Sequence, residues 1–363
     1  MKILTEPIGS VPRPKYLVDA LNAFAQQQIK ETELSALFDE ALKDTIKRFE
    51  ETGSPVITDG EQTKPSFATY PISGLKSLSP DGVVIPFADG HTRQLPKITA
   101  GPFRYQHYAN SYVEKAKQLT NLPVKQAVIA VSAISLLYPS EGIPGYTQEQ
   151  FITDLLNEAE ADIRKCLNSG AYNVQIDFTE ARLALKLDPS AGLLKSFINL
   201  NNSVLSRFTD EERKRIGVHS CPGGDHDSTH SADIPYTSLL PYLFALNAGN
   251  FYLEYAGEKD KQPVLASIKE NIRPGQRVFL GVTDVLNPRI ETPEEIRDTI
   301  LEALEVIPVS QFGTTDDCGF SPFADDISTS RDTAFEKIRS RVAGTRLAEK
   351  NVDESLKLKH AAY

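Results

Sequence analysis

Apolar runs short enough to be β-strands alternate along this chain with longer stretches of helical period, and that alternation constrains the fold more than any other feature. A chain that keeps switching between the two patterns builds a mostly parallel α/β sheet with helices packed on its outside. The strand-like runs lie at 3–9, 55–60, 97–102, 125–133, 172–178, 215–221, 251–256, 278–284 and 311–316. Nine candidates for the eight places of a closed (β/α)₈ barrel put one of them on the rim.

The helical stretches carry readable ends. Thr147 and Gln150 form a capping box ahead of the apolar positions Phe151, Leu155, Ala159 and Ile163, and Ser169-Gly170 supplies the stop. Thr292 and Glu295 repeat the device with Pro293 at the first helical position. Residues 63–96 turn instead to Pro, Gly, Ser and Asp without helical period, which predicts an insertion carrying a short hairpin and able to act as a lid. A last helical stretch at about 329–350 is expected to give way to a polar tail, 351–363, frayed or docked on a partner chain. The reading is one catalytic barrel over 1–350.

Composition narrows the function classes. A 363-residue chain with 40% hydrophobic residues buries a large core, and no stretch approaches the roughly 20 apolar residues of a membrane span. The N-terminus lacks a basic segment followed by an apolar run, so the chain reads as cytoplasmic. With 39 basic against 49 acidic residues and no basic cluster interleaved with aromatics, nucleic acid is not an expected partner. Three scattered cysteines, Cys166, Cys221 and Cys318, do not make a disulfide framework and remain available as metal ligands.

The chemistry concentrates in Val218-His219-Ser220-Cys221-Pro222-Gly223, where a strand ends. Residues two apart on a strand point to the same side, so His219 and Cys221 can converge on one metal ion. Later strand ends add Glu254 and Cys318, and one His, two Cys and a carboxylate suit zinc, Zn²⁺. Each has a plainer reading: a buried cysteine that only packs, a Glu254 paired with an arginine elsewhere, a Cys318 chosen for size at a turn. Cys166 sits among the apolar positions of a helix and reads as core.

The order His219-x-Cys221, Glu254, Asp317-Cys318-Gly319 resembles the zinc ligands of the cobalamin-independent methionine synthase catalytic domain. Ile8-Gly9-Ser10-x-Pro12, Asp59-Gly60-Glu61 and Gln175-Ile176-Asp177 extend the likeness over most of the chain. The resemblance implies that Ser10 meets the carboxylate end of homocysteine, and Glu61 and Asp177 its ammonium end. The segment His219-x-Cys221-x-Gly223 followed by His230 and Asp233-Ile234-Pro235 is similar to the shorter, single-domain relatives, including the epoxyalkane:coenzyme M transferases.

Departures from the family matter too. The full-length synthases add an N-terminal barrel that helps hold folate polyglutamate and that 363 residues do not contain, so the methyl or alkyl donor, folate or another, stays open. Where those synthases continue into a histidine that protonates the leaving group, this chain has Val285 and Leu286 after Asp284; His226 and His230 become the candidate acids. Asp177-Phe178-Thr179-Glu180 replaces Asp-Glu-Pro, with Glu180 a candidate substitute at the ammonium group. The resemblance implies a transferase that activates a small-molecule thiol as a zinc thiolate and alkylates it, methyl transfer to homocysteine first and thiol addition to an epoxide second. Rival expectations are a metal-free lyase like the uroporphyrinogen decarboxylases, which share this type of barrel, and a non-catalytic binding barrel with a structural zinc. The terminal helix is a candidate homodimer surface.

Overall fold

The computed structural model describes residues 2–361. Seven strands form one parallel sheet: β1 (Leu4–Thr5), β2 (Gln126–Ile129), β3 (Val174–Asp177), β4 (Ile216–Ser220), β5 (Asn250–Leu253), β6 (Arg277–Gly281) and β7 (Phe312–Thr315). Their order is β1-β7-β6-β5-β4-β3-β2, so the sheet curls round until its two ends face each other. The run at 55–60 fills the gap between those ends. Ile57 makes a parallel bridge with Val124, and on the other side the Thr58 hydroxyl donates to the Gly9 carbonyl at 2.7 Å. It is not a longer strand because Gly60 and Glu61 both have positive φ, 66° and 57°, which ends an extended run at once. The eight places of the barrel are thereby taken.

The ninth run is the one on the rim. At 97–102 only Lys97–Ile98 is extended, and it pairs with Leu78–Ser79 in a small antiparallel ribbon outside the barrel. The insertion also carries the expected hairpin, Val84–Pro86 against Thr92–Gln94. The caps stand as expected: the Gln150 and Glu295 amides donate to the Thr147 and Thr292 hydroxyls, opening the helices Gln148–Asn168 and Pro293–Leu304. Beyond residue 350, where a polar tail was expected, the last helix carries on unbroken from Arg331 to Ala361, and 362–363 lie outside the described residues. Among the described residues no helix is long and apolar enough to cross a membrane.

The main apolar core lies between the sheet and its helices and includes Val128, Ile176, Val218, Phe251 and Leu280, with Cys166 buried among them as expected. The alternate strand positions point the other way, into the barrel. There Ile8, Tyr252 and Phe279 form a separate apolar cluster. Polar groups within it satisfy one another: Asn173 and the Tyr252 hydroxyl donate to the two oxygens of Glu6, and Lys125 donates to the Pro7 carbonyl at 2.6 Å. The inward positions nearest the strand C-termini are Ser10, Asp177, His219 and Glu254.

Candidate functional site

Strand register sets the centre of the site. Asp177 at the end of β3 lies beside His219 on β4, and His219 beside Tyr252 on β5. His219 Nδ1 is 3.1 Å from the Tyr252 carbonyl, so that nitrogen carries the proton. Nε2 is then a bare lone pair, buried and without a hydrogen-bond partner. The sulfurs of Cys221 and Cys318 approach to 3.1 Å without being bonded. Candidate ligand atoms of His219, Cys221 and Cys318 all lie within 4.8 Å of one another. An orphaned imidazole nitrogen facing two thiols is a donor set that fits zinc. Contact with the Cys221 thiol and with His219 holds Cys318 well below the usual thiol range, while the same contact and burial push Cys221 up.

Glu254 does not join that cluster. Its Oε2 accepts from Arg182 at 3.0 Å, and the same guanidinium nitrogen reaches Glu258 at 2.6 Å. The arginine that the plainer reading of Glu254 required therefore exists, 72 positions earlier in the chain. Burial and the neighbouring Asp317 push the Glu254 carboxyl up, against the pull of Arg182. Asp317 itself accepts from three successive backbone N–H groups, Tyr255, Ala256 and Gly257, at 2.9, 2.9 and 2.6 Å. That grip ties the segment after β5 to the segment after β7 and fixes Glu254 relative to Cys318.

Ser10, Glu61 and Asp177 open onto the same cavity as His219, Cys221, Cys318 and His230. The Ser10 hydroxyl accepts from the Ser321 amide at 3.3 Å. Asp177 accepts from the Gln175 amide group, and its burial pushes the carboxyl up to about 6. Glu61 is not free: Lys64 Nζ lies 2.8 Å from its Oε1, and both side chains are buried. Arg13 fixes the turn between them by donating to the carbonyls of Glu61 and Lys64. Sequence reasoning missed Lys64, although its place three residues after Glu61 was a usable signal.

The remaining sequence candidates separate. His230 reaches the cavity. Ser231 Oγ donates to the Pro222 carbonyl and so accepts from His230 Nδ1 at 2.9 Å, leaving His230 Nε2 unprotonated. Burial, with Lys186 and Arg182 nearby, pushes the ring down to about 4, so it is neutral at pH 7. His226 is not brought to the cavity. It sits at the tip of the hairpin Gly224–Asp225/Ser228–Thr229 with φ 47°, where Arg93 donates to its Nε2. Asp284 lines a smaller neighbouring space with Glu254 and Asp317. Glu180 does not face Ser10, Glu61 and Asp177 either; it lines a separate chamber.

The insertion expected to form a lid contributes directly to the site. Ile85, Phe87 and Arg93 form one wall of the cavity. Arg93 donates to fully buried Asp225 through Nε and an NH2, and to Asp325 at 2.9 Å through two nitrogens. The Ala88 amide adds a bond to the Thr229 carbonyl at 2.9 Å.

The model of the "Cobalamin-independent synthase, Catalytic domain" family matches residues 3–331. Among curated relatives, the methionine synthase of Sulfurisphaera tokodaii is 24% identical over 357 residues, 96% of this chain and 93% of its own. That of Pyrococcus horikoshii is 22% identical over 352 residues, 96% of this chain and 94% of its own. Among solved structures, a B12-independent methionine synthase from a Shewanella species, in complex with selenomethionine, has a TM-score of 0.75 at 18% identity, covering 97% of this chain and 99% of that one. A putative vitamin-B12 independent methionine synthase from Listeria monocytogenes has a TM-score of 0.70 at 23% identity, covering 95% and 98%. The structures share the barrel fold, and the family match spans nearly the whole chain: it belongs to the cobalamin-independent methionine synthase catalytic-domain family.

Proposed function

We propose that this chain transfers an alkyl group to a thiol, and that the reaction is methyl transfer to homocysteine. One observation carries the reading: a single cavity brings the imidazole–dithiol cluster of His219, Cys221 and Cys318 to face Ser10, Glu61 and Asp177. The names of the relatives support homocysteine as acceptor. His219, Cys221 and Cys318 would hold a zinc ion, with Glu254, already satisfied by Arg182, as an exchangeable fourth ligand. Zinc bound there would lower the pKa of an acceptor thiol so that it reacts as thiolate near neutral pH.

The chain's own groups do the rest. The Ser10 hydroxyl meets the acceptor's carboxylate, and Asp177 with Glu61 its ammonium group. His230, neutral and bare at Nε2, accepts a proton or hydrogen bond inside the cavity rather than acting as a cationic acid. His226 and Asp284, both named as catalytic candidates, act from outside the cavity, through the Arg93 contact and the Glu254 side respectively. The insertion closes over the reactants and excludes water. Unbridged cysteines fit a reducing, cytoplasmic setting.

The Lys64–Glu61 ion pair favours a second reading, in which the acceptor thiol carries an acid group but no ammonium. Metal content with zinc-edge absorption spectra, with and without homocysteine, tests the proposal. One equivalent of zinc whose sulfur coordination rises on adding homocysteine is the expected result. Absence of zinc, or zinc indifferent to any thiol, overturns it.

A further inference from the structure

Next to the cavity of the cysteine cluster lies a second, smaller chamber, and the two share Phe67, Ile85, Thr179 and His230 as a common wall. The rest of its lining is apolar, with Leu95, Ile129, Leu137 and Leu183 prominent. The exceptions are Thr69, whose hydroxyl is already engaged with that of Ser66 at 2.7 Å, and Glu180, the first residue of the helix Glu180–Leu187. Its Oε1 accepts from the Ser132 hydroxyl at 2.5 Å, and Asn201 in turn donates to that hydroxyl at 2.8 Å. Its Oε2 is buried without a partner, and among the described residues no cation pairs with it.

A carboxyl group in such surroundings keeps its proton. Burial pushes Glu180 up to about 8, with Ser132 opposing the shift. The side chain then offers one hydroxyl donor in an apolar wall, and a buried polar group left unsatisfied is costly. Nothing in the thiol-binding half of the site uses it.

We propose that this chamber binds the alkyl donor by an uncharged, apolar body of a few carbons, and that Glu180 donates a hydrogen bond to the single oxygen acceptor that body carries. The inference rests on the thiol-alkyltransferase reading and specifies its donor. The shared wall puts such a donor directly beside the cavity of the cysteine cluster. A pterin-like head group, with many donors and acceptors, would find too few partners in this mostly apolar lining and would leave several of its groups unpaired.

Cyclopentanone, a neutral ring with one acceptor, serves as the probe on the full chain without any thiol. Infrared difference spectra follow its carbonyl stretch, and equilibrium dialysis its affinity. Saturable binding with the carbonyl stretch shifted to lower frequency is expected in the unaltered protein. Glu180→Met should weaken binding at least tenfold and remove the shift. Ala133→Phe, and independently Leu183→Phe from the opposite side, should fill the chamber and abolish binding while circular dichroism is unchanged; either plug suffices should the other not fold. Unsaturable binding, an unshifted carbonyl, or full affinity in a folded plugged variant overturns the proposal. Since the zinc-edge response to homocysteine is read separately, a dry or indifferent chamber with a responsive metal refutes this donor site alone.

Discussion

Lys64 and Glu61 form a buried ion pair, Nζ to Oε1 2.8 Å, and Glu61 lines the cavity where the family likeness would place an amino acid's ammonium group. Lys64 also donates to the Ala127 carbonyl at 3.0 Å and stands 4.6 Å over the Tyr70 ring, so it is held from three sides. An incoming ammonium must compete with a cation already in place. We therefore expect 4-mercaptobutyrate, which is homocysteine without its amino group, to bind within about tenfold of homocysteine, a gap of about 1.4 kcal/mol. Lys64→Met should leave Glu61 unpaired and shift the ratio at least tenfold toward homocysteine, read by competition binding; an unchanged ratio would show that Glu61 does not meet the acceptor.

Gly223 separates Cys221 from His230. Its φ is +72°, and a Cβ there would stand 1.8 Å from His230 Nε2. Gly223→Ala must both strain the backbone, at about 1–2 kcal/mol, and drive the imidazole out of the cavity. The expected result is a loss of turnover of about a hundredfold or more, the order reached when a positioned acid–base group is lost, with a much smaller change in melting temperature. Near-normal turnover would remove His230 from the machinery.

What the sequence made legible follows the range of the contacts. His219 and Cys221 share a face because strand periodicity is two, and the Thr147 and Thr292 caps span three residues; both kinds of pattern are local. The rim strand at 97–102 could not be told from a barrel strand because short apolar runs look alike wherever they pack. The pairs that define the site's chemistry lie far apart in sequence: Arg182 with Glu254 by 72 positions, Arg93 with Asp225 by 132. A charged residue announces that it needs a partner and says nothing of which one. Lys64 is the exception, close enough to Glu61 to be read as an i, i+3 pair had the turn been recognised.

Glu180 makes stability depend on pH in a defined direction. Its carboxyl titrates near the ordinary 4.5 in the unfolded chain and at about 8 in the folded one. Below that window both states carry the proton, and the group is neutral to stability. Within it only the folded chain does, so unfolding releases a proton and stability falls as pH rises. Glu180→Gln abolishes the effect. Relative to the unaltered protein the variant should gain up to about 1.4 kcal/mol per pH unit across the window, measured by urea melts at several pH values. Parallel curves would mean that Glu180 ionises normally.

The terminal helix is fastened to the barrel through Arg341. Its Nε donates to Asp316 at 2.9 Å and an NH group to the Thr5 hydroxyl at 2.7 Å, with every partner buried. Asp316 also accepts from the Thr283 hydroxyl, so one guanidinium links β1, the end of β7 and the segment after β6. Arg341→Leu leaves Asp316 buried without a counter-ion and should cost about 3–5 kcal/mol, seen as a lower urea midpoint. Adding Asp316→Asn should recover part of the loss; a double variant no better than the single would assign the cost to packing instead.

Arg93 decides whether the insertion acts as a lid or only as decoration. It is the one residue of the hairpin that reaches both Asp225 and Asp325, and Asp225 is fully buried, so breaking the contact strands a carboxylate. Only histidines then face it, His91 at 3.1 Å and His226 at 3.8 Å. Because the latch touches the cavity wall and not the cysteine cluster, Arg93→Met should loosen the hairpin and weaken substrate capture without removing the reacting groups. Limited proteolysis should cut within 80–95 faster than in the unaltered protein, and KM should rise about tenfold, with kcat reduced far less. A fall in kcat at constant KM would place Arg93 among the groups that act on the reacting atoms.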